Sequence, residues 1–195
     1  MPKIKIITGS VRPNRFNDQP SNWIYDIATK RKDAEYELVN LAEMNLPFLD
    51  EPKSPKAREY TKDNTKAWSE KVEASDGFLF VTPEYNHSVS PALKNALDFL
   101  YYEWNHKPAS FISYGAEAGG ARSVEHLRAV CGELKMYDLR EQLILPNYWE
   151  NQNESGEYQF NEKHEEAANR ILDELVFWST EMKSAREKMT VAVKK

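Results

Sequence analysis

The chain has 195 residues, 41% of them hydrophobic and 12% aromatic, which is enough for one sizeable core and too little for two ordinary domains. With 26 basic against 31 acidic side chains and a formal net charge of -5, it carries no global electrostatic footprint for nucleic acid or an anionic membrane. Its single cysteine, Cys131, excludes an internal disulfide and a thiolate-only metal cluster within one chain.

Residues 4–8, Ile-Lys-Ile-Ile-Thr, are β-rich and run straight into Gly9-Ser10, as the buried first strand of a parallel sheet does. Trp23, Ile24, Ile27 and Ala28 then recur at helical spacing. Residues 36–41 alternate as a second strand, and the proline-rich stretch at 47–55 predicts irregular chain. A helix is predicted over 56–72, and Gly77 to Val81 is a continuous apolar run stopped by Thr82-Pro83, which reads as a central strand. Pro91 opens the next helix, predicted over 92–102 with Leu93, Ala96, Leu97 and Leu100 on one face. A strand at 109–114, a helix from Gly119-Gly120 to about 134 and a strand at 139–145 follow. After a polar, loop-like link at 147–161 comes a last helix over 162–182. Strands alternating with helices along the whole length predict an α/β fold, a doubly wound parallel sheet with helices on both faces. The expected organisation is a single domain over 1–183 and a C-terminal tail, helical or disordered, over 184–195.

The N-terminal stretch is shorter than a signal-peptide core and no later run is long enough to span a bilayer, so a cytoplasmic location with no membrane partner is expected. The triplets Asn86-His87-Ser88 and Asn153-Glu154-Ser155 would matter only in the secretory pathway and are discounted.

In such a sheet the ligand sits outside the carboxyl ends of the strands, where the strand order reverses. The loop from Gly9 to Phe16 offers a hydroxyl, two guanidinium groups and backbone N–H groups beside a helix N-terminus, which suits a phosphate. It lacks the glycine patterns of triphosphate and dinucleotide loops, so a phosphomonoester fits better; an ordinary solvated turn with two surface arginines explains it about as well. The loop from Thr82 to Pro91 brings Tyr85, Glu84 and Asn86 to the crevice, where a planar heterocycle could stack on the tyrosine. The loop from Tyr114 to Arg122 has three of the chain's seven glycines, which permits close backbone approach or positive φ.

Together these strings, Gly9-Ser10-Val11-Arg12-Pro13-Asn14-Arg15, Pro83-Glu84-Tyr85-Asn86, Leu93-Lys94-Asn95-Ala96-Leu97-Asp98, and Tyr114-Gly115 with Gly119-Gly120, resemble the NADPH-dependent FMN reductase family. The resemblance implies a flavodoxin-like fold, a five-stranded parallel sheet in the order 2-1-3-4-5. It implies FMN, with NADPH or NADH as hydride donor, and a small-molecule acceptor such as a quinone or flavin. Ser10, Arg12, Arg15 and Phe16 would hold the phosphate and its approach, Pro83, Glu84, Tyr85 and Asn86 would line the isoalloxazine ring, and Ser113, Gly115 and Gly119 would contact its other edge. Many relatives have a serine where this chain has Arg15, which therefore either replaces that contact or points at the nicotinamide nucleotide. Arg122 either pairs with a nucleotide phosphate or is a helix-surface arginine with no ligand.

The implied mechanism is ping-pong, with the nicotinamide stacking on the flavin, giving hydride to its N5 and leaving before the acceptor enters. The cofactor carries that chemistry, so no side chain is assigned as catalytic. Phe99-Leu100-Tyr101-Tyr102-Glu103-Trp104 carries more aromatic surface than one helix face readily buries, and relatives dimerise near the flavin, so a homodimer or a dimer of dimers is expected. The rival reading is a non-enzymatic FMN-binding or redox-sensing protein. A phosphatase is disfavoured because Cys131 lacks a Cys-x-x-x-x-x-Arg loop, and a metal hydrolase because His87, His106, His126 and His164 lack ligand spacing.

Overall fold

A computed structural model describes residues 1–193. Five strands, β1 (Lys3–Thr8), β2 (Glu35–Asn40), β3 (Gly77–Pro83), β4 (Pro108–Gly115) and β5 (Tyr137–Pro146), form one parallel sheet in the order β2-β1-β3-β4-β5. The order reverses between β1 and β3, the switch point of a flavodoxin-like sheet. The helices are α1 (Asp18–Lys30), α2 (Leu41–Met44), α3 (Asp63–Glu73), α4 (Pro91–Asp98), α5 (Ala121–Glu133) and α6 (Glu162–Val193).

The unbroken apolar run of β3 follows from burial on both faces. Phe78 and Phe80 join Trp68, Leu93, Leu97, Val124 and Leu127 from α3, α4 and α5. Leu79 and Val81 join Ile24, Ala28, Leu172 and Leu175 from α1 and α6.

Several boundaries differ from the sequence prediction. The helix predicted from residue 56 is a single 3-10 turn, Pro55–Ala57, with α3 starting only at Asp63. Between them the Glu51 carboxylate accepts from the Thr61 N–H (2.8 Å) and the Lys62 N–H (2.9 Å) and folds the segment back on itself. The helix predicted to reach 102 stops at Asp98, and a 3-10 turn, Tyr102–Trp104, follows. There Phe99 and Trp104 are fully buried within their own subunit. The Trp104 indole N–H donates to the Leu97 carbonyl at 3.1 Å, and its ring meets Phe78 edge-on at 4.8 Å. The expected surplus of exposed aromatic surface there reduces to Tyr102 and half-buried Tyr101.

The final helix continues past residue 182 to Val193; the last two residues of the expected tail lie outside the described residues. Asp76, at the start of β3, holds this extension. Its carboxylate accepts from the Lys3 N–H (3.0 Å), Lys183 Nζ (3.0 Å) and Arg186 Nη2 (2.6 Å). This anchor lies at the amino ends of the strands and leaves the carboxyl ends to the loops. Among the described residues no helix is long and apolar enough to cross a membrane.

Candidate functional site

A cleft of about 280 Å³ opens at the carboxyl ends of β1, β3 and β4, and its walls include Arg12, Phe16, Tyr85, Gly115, Tyr148 and Trp149. It lies at the switch point, where an open α/β sheet has room for a ligand. A larger groove of about 720 Å³ runs past Arg128, Asp138 and Arg170, away from those strand ends. Its most enclosed charge is satisfied internally, Arg128 donating to Asp138 at 2.8 Å, so the smaller cleft is the functional candidate.

The first loop leaves β1 through Gly9, where a Cβ would come within 2.8 Å of the Val81 carbonyl oxygen. That close approach ties the loop to β3. Ser90 adds a second tie: its hydroxyl donates to the Gly9 carbonyl and, as the N-cap of α4, accepts from the Leu93 N–H at 3.2 Å. Ser10, buried, places its Oγ 3.1 Å from the Tyr85 hydroxyl and accepts a long bond from the Arg12 N–H at 3.4 Å. The two arginines behave differently. Among the described residues the Arg12 guanidinium has no hydrogen-bond or ion-pair partner, and its ring contact is Tyr85, 6.0 Å to the centroid. Arg15 is enclosed: Nε donates to Asp18 Oδ1 at 2.7 Å, Nη2 to Asn40 Oδ1 at 2.8 Å, and Nη1 to the Ser10 carbonyl. Its positive charge is spent on Asp18, so Arg12 supplies the loop's uncompensated charge.

The third-strand loop is a two-residue hairpin. Tyr85 and Ser88 exchange backbone hydrogen bonds of 2.9 and 3.0 Å, with Asn86 and His87 at φ 50 and 68 between them. Positive φ at both central positions is the type I′ pattern, and asparagine tolerates it. The structure therefore puts Asn86 at the exposed turn tip, while Pro83, Glu84 and Tyr85 line the cleft. The Glu84 carboxylate turns toward α5, accepting from the Arg122 N–H (3.1 Å) and Arg122 Nε (2.6 Å). That pairing accounts for Arg122, and it caps α5 with a negative charge where the helix dipole favours one.

In the fourth-strand loop, Gly115 lines the cleft, whereas Ser113 and Gly119 lie behind it. The Ser113 hydroxyl, buried on β4, donates to the Gly119 carbonyl at 2.9 Å. Gly119 sits at φ +57, and a Cβ there would fall 2.2 Å from Ile144 Cγ2 and 2.9 Å from the Pro146 nitrogen. The glycine requirement at 119 thus arises from packing against β5.

Comparison with known proteins decides what the cleft belongs to: the sequence profile of the NADPH-dependent FMN reductase family matches residues 2–150. The chain belongs to that family. It is 43% identical over 137 residues, covering 69% of this chain and 68% of the relative, to an NAD(P)H-dependent FMN reductase of Schizosaccharomyces pombe. It is 32% identical over 141 residues, covering 68% of this chain and 71% of the relative, to a 2-hydroxy-1,4-benzoquinone reductase of a Burkholderia species. Among solved structures, the flavoenzyme NAD(P)H:(acceptor) oxidoreductase FerB of Paracoccus denitrificans superposes with a TM-score of 0.73 at 21% identity, over 93% of this chain and 99% of that one. At that identity the likeness shows the fold, which is flavodoxin-like. As a family member the chain is an FMN-dependent NAD(P)H oxidoreductase.

The cleft fits FMN chemically. It offers an uncompensated guanidinium for a phosphate, a tyrosine ring fixed through its hydroxyl, and a wall of aromatic rings. Phe16 stacks on Tyr148 (centroids 4.0 Å, 22°) and meets Tyr114 edge-on at 5.0 Å. Burial raises the Tyr114 phenol above its ordinary pKa, with Tyr85 and Tyr148 adding to the effect, and its hydroxyl donates to Asn17 Oδ1 at 3.2 Å. Cys131 lies off the cleft, buried in α5, with its thiol pushed up to about 12 by burial. Such a thiol stays protonated and unreactive.

Sequence reasoning missed Tyr114, Tyr148 and Trp149. The signal was present, because Tyr148 and Trp149 follow the carboxyl end of β5 just as the other loops follow theirs, but the polar link beyond Pro146 masked it.

Proposed function

We propose that this cleft holds FMN, that NADPH or NADH donates hydride there, and that a quinone or a flavin is the acceptor. The observation that carries the reading is the pairing of a free Arg12 guanidinium with a Tyr85 ring fixed by Ser10 at the switch point. When bound, FMN supplies the hydride-accepting and electron-donating chemistry. Arg12 and the Ser10 region hold the phosphate, while Tyr85, Pro83, Phe16 and Gly115 give the ring a flat, largely apolar bed. Of the other residues the resemblance implies, Arg15 and Glu84 stand on the cleft wall with their charges engaged by Asp18 and Arg122, Asn86 sits at the turn tip, and Ser113 bonds the Gly119 carbonyl. No side chain is assigned a proton-transfer role.

The quinone class is favoured among acceptors by the similarity to the Burkholderia quinone reductase. A cytoplasmic homodimer is part of the proposal, supported by a lone buried thiol and by exposed Phe48 and Leu49, which Asn95 of α4 fixes through bonds to Leu49 N–H (3.1 Å) and the Pro47 carbonyl (2.7 Å). Sedimentation at twice the chain mass is the expected result, and a monomer at micromolar concentration would remove it. For the reaction itself, the protein is mixed with FMN, desalted, and treated anaerobically with NADPH and then NADH. Bleaching of a retained flavin band supports the proposal and identifies the donor. Retained flavin that neither nucleotide bleaches refutes it.

A further inference from the structure

The turn after β5 brings two aromatic rings to the rim of the cleft. Asn147 at φ +41 reverses the chain, and Tyr148 and Trp149 then line the same cleft as Tyr85 and Arg12. The rings form a series of contacts. Tyr114, tied to Asn17, meets Phe16; Phe16 stacks on Tyr148; and Tyr148 meets the Trp149 ring at 5.3 Å and 74°. The series begins in the core and ends in an indole that is 50% exposed. A half-exposed indole gains little within its own chain, and on a cleft rim its open surface suits a flat ligand.

We infer that Trp149 is a specificity-determining residue, the stacking face for planar aromatic acceptors of the quinone class. The inference rests on the flavin reading of the cleft. A two-ring quinone presents a π-face comparable to the indole, whereas ferricyanide presents none. An aromatic contact of this kind corresponds to roughly a two- to twelve-fold change in affinity.

The test compares FMN-loaded wild type, Trp149→Ala and Trp149→Phe with NADPH, reading kcat/KM for menadione relative to ferricyanide. Calorimetric binding of 2-naphthalenesulfonate, a redox-inert flat anion, and the sedimentation coefficient are measured on the same samples. The expected result is that Trp149→Ala lowers the menadione-to-ferricyanide ratio roughly three- to ten-fold through KM and weakens naphthalenesulfonate by a similar factor. Trp149→Phe restores most of both, and sedimentation is unchanged. An active wild type with an unmoved ratio and unmoved naphthalenesulfonate binding overturns this inference alone. Equal loss with both acceptors, or altered sedimentation, overturns it too by assigning Trp149 to the cofactor, the donor or a subunit contact. A wild type that takes up no FMN, or whose flavin neither nucleotide bleaches, overturns the flavin reading and this inference with it.

Discussion

Arg12 and Arg15 stand three residues apart in one loop, and replacing each in turn by alanine separates binding from folding. Arg12→Ala removes a guanidinium without a protein partner, so its loss leaves no buried acceptor stranded. A charge-assisted phosphate contact is worth roughly 1.5–3 kcal/mol, which predicts FMN affinity weakened by about 10- to 150-fold at unchanged melting temperature. Arg15→Ala removes a donor from three acceptors at once: the Asp18 carboxylate, the Ser10 carbonyl and the Asn40 amide oxygen. Asp18 is half exposed and screened by water, so its pair contributes at most about 1 kcal/mol, and Asn40 Oδ1 keeps its bond from the Ala42 N–H at 3.0 Å. Loss of the enclosed side chain's packing and of the Ser10 bond brings the expected cost to about 3 kcal/mol, or about 6–12 °C in Tm for a chain of this length. The assays are fluorescence titration of FMN and thermal unfolding of the FMN-free protein, the latter so that ligand does not mask stability. Arg15→Ala with an unchanged Tm and a large loss of FMN affinity would refute the division and make Arg15 the phosphate ligand.

Three further outcomes are expected. Tyr85→Ala should shift the absorbance and fluorescence of bound FMN by removing the ring under the flavin, whereas Tyr85→Phe, which loses only the Ser10 contact, should shift them less; matching spectra for all three proteins would defeat the stacking assignment. Gly119→Ala should destabilise the chain by about 2–4 kcal/mol, since its Cβ overlaps Ile144 at positive φ, and chemical denaturation giving wild-type stability would show that the loop gives way freely. Lys107, buried with its Nζ donating to the Val72 (2.8 Å) and Glu73 (3.1 Å) carbonyls, is pulled down to about 8 by burial. Below pH 8 the folded chain therefore carries a cost of about 3 kcal/mol for holding the ammonium, and that cost fades as pH rises toward the unfolded value of 10.5. Urea unfolding of Lys107→Met against wild type should favour the variant more at pH 7 than at pH 10; a difference independent of pH would mean that the two carbonyls hold the ammonium without penalty.

What the sequence disclosed, and what it hid, divides by the range of the interaction. The strand from Gly77 to Val81 was legible because burial on both faces leaves an unbroken apolar run, and the start of α4 because Ser90-Pro91 pairs an N-cap with a proline at the first turn. The start of α3 was not legible. Lys56 and its neighbours continue a helix-like pattern, and only the Glu51 carboxylate, ten residues before Thr61, draws the chain into a loop. Trp104 and Phe99 looked like surplus surface because their burial depends on where α3 places Trp68, whose ring meets Trp104 edge-on at 5.9 Å.

The site follows the same division, with a consequence for how a resemblance is used. A matching string fixes which loop faces the ligand but not which atom of the loop does. Arg12 and Arg15 carry the same group, yet Asn40, 25 residues on, and Asp18 claim one and leave the other free. Glu84 faces the same crevice as Tyr85, and Arg122, 38 residues away, turns its carboxylate into a helix cap. Arg15 and Glu84 are thus marked as engaged by partners distant in sequence, and Arg12, among the described residues, by the lack of one. Trp149 matched no string, but its half-exposed indole on the cleft rim, meeting the Tyr148 ring at 5.3 Å, leaves aromatic surface open there as Arg12 leaves charge.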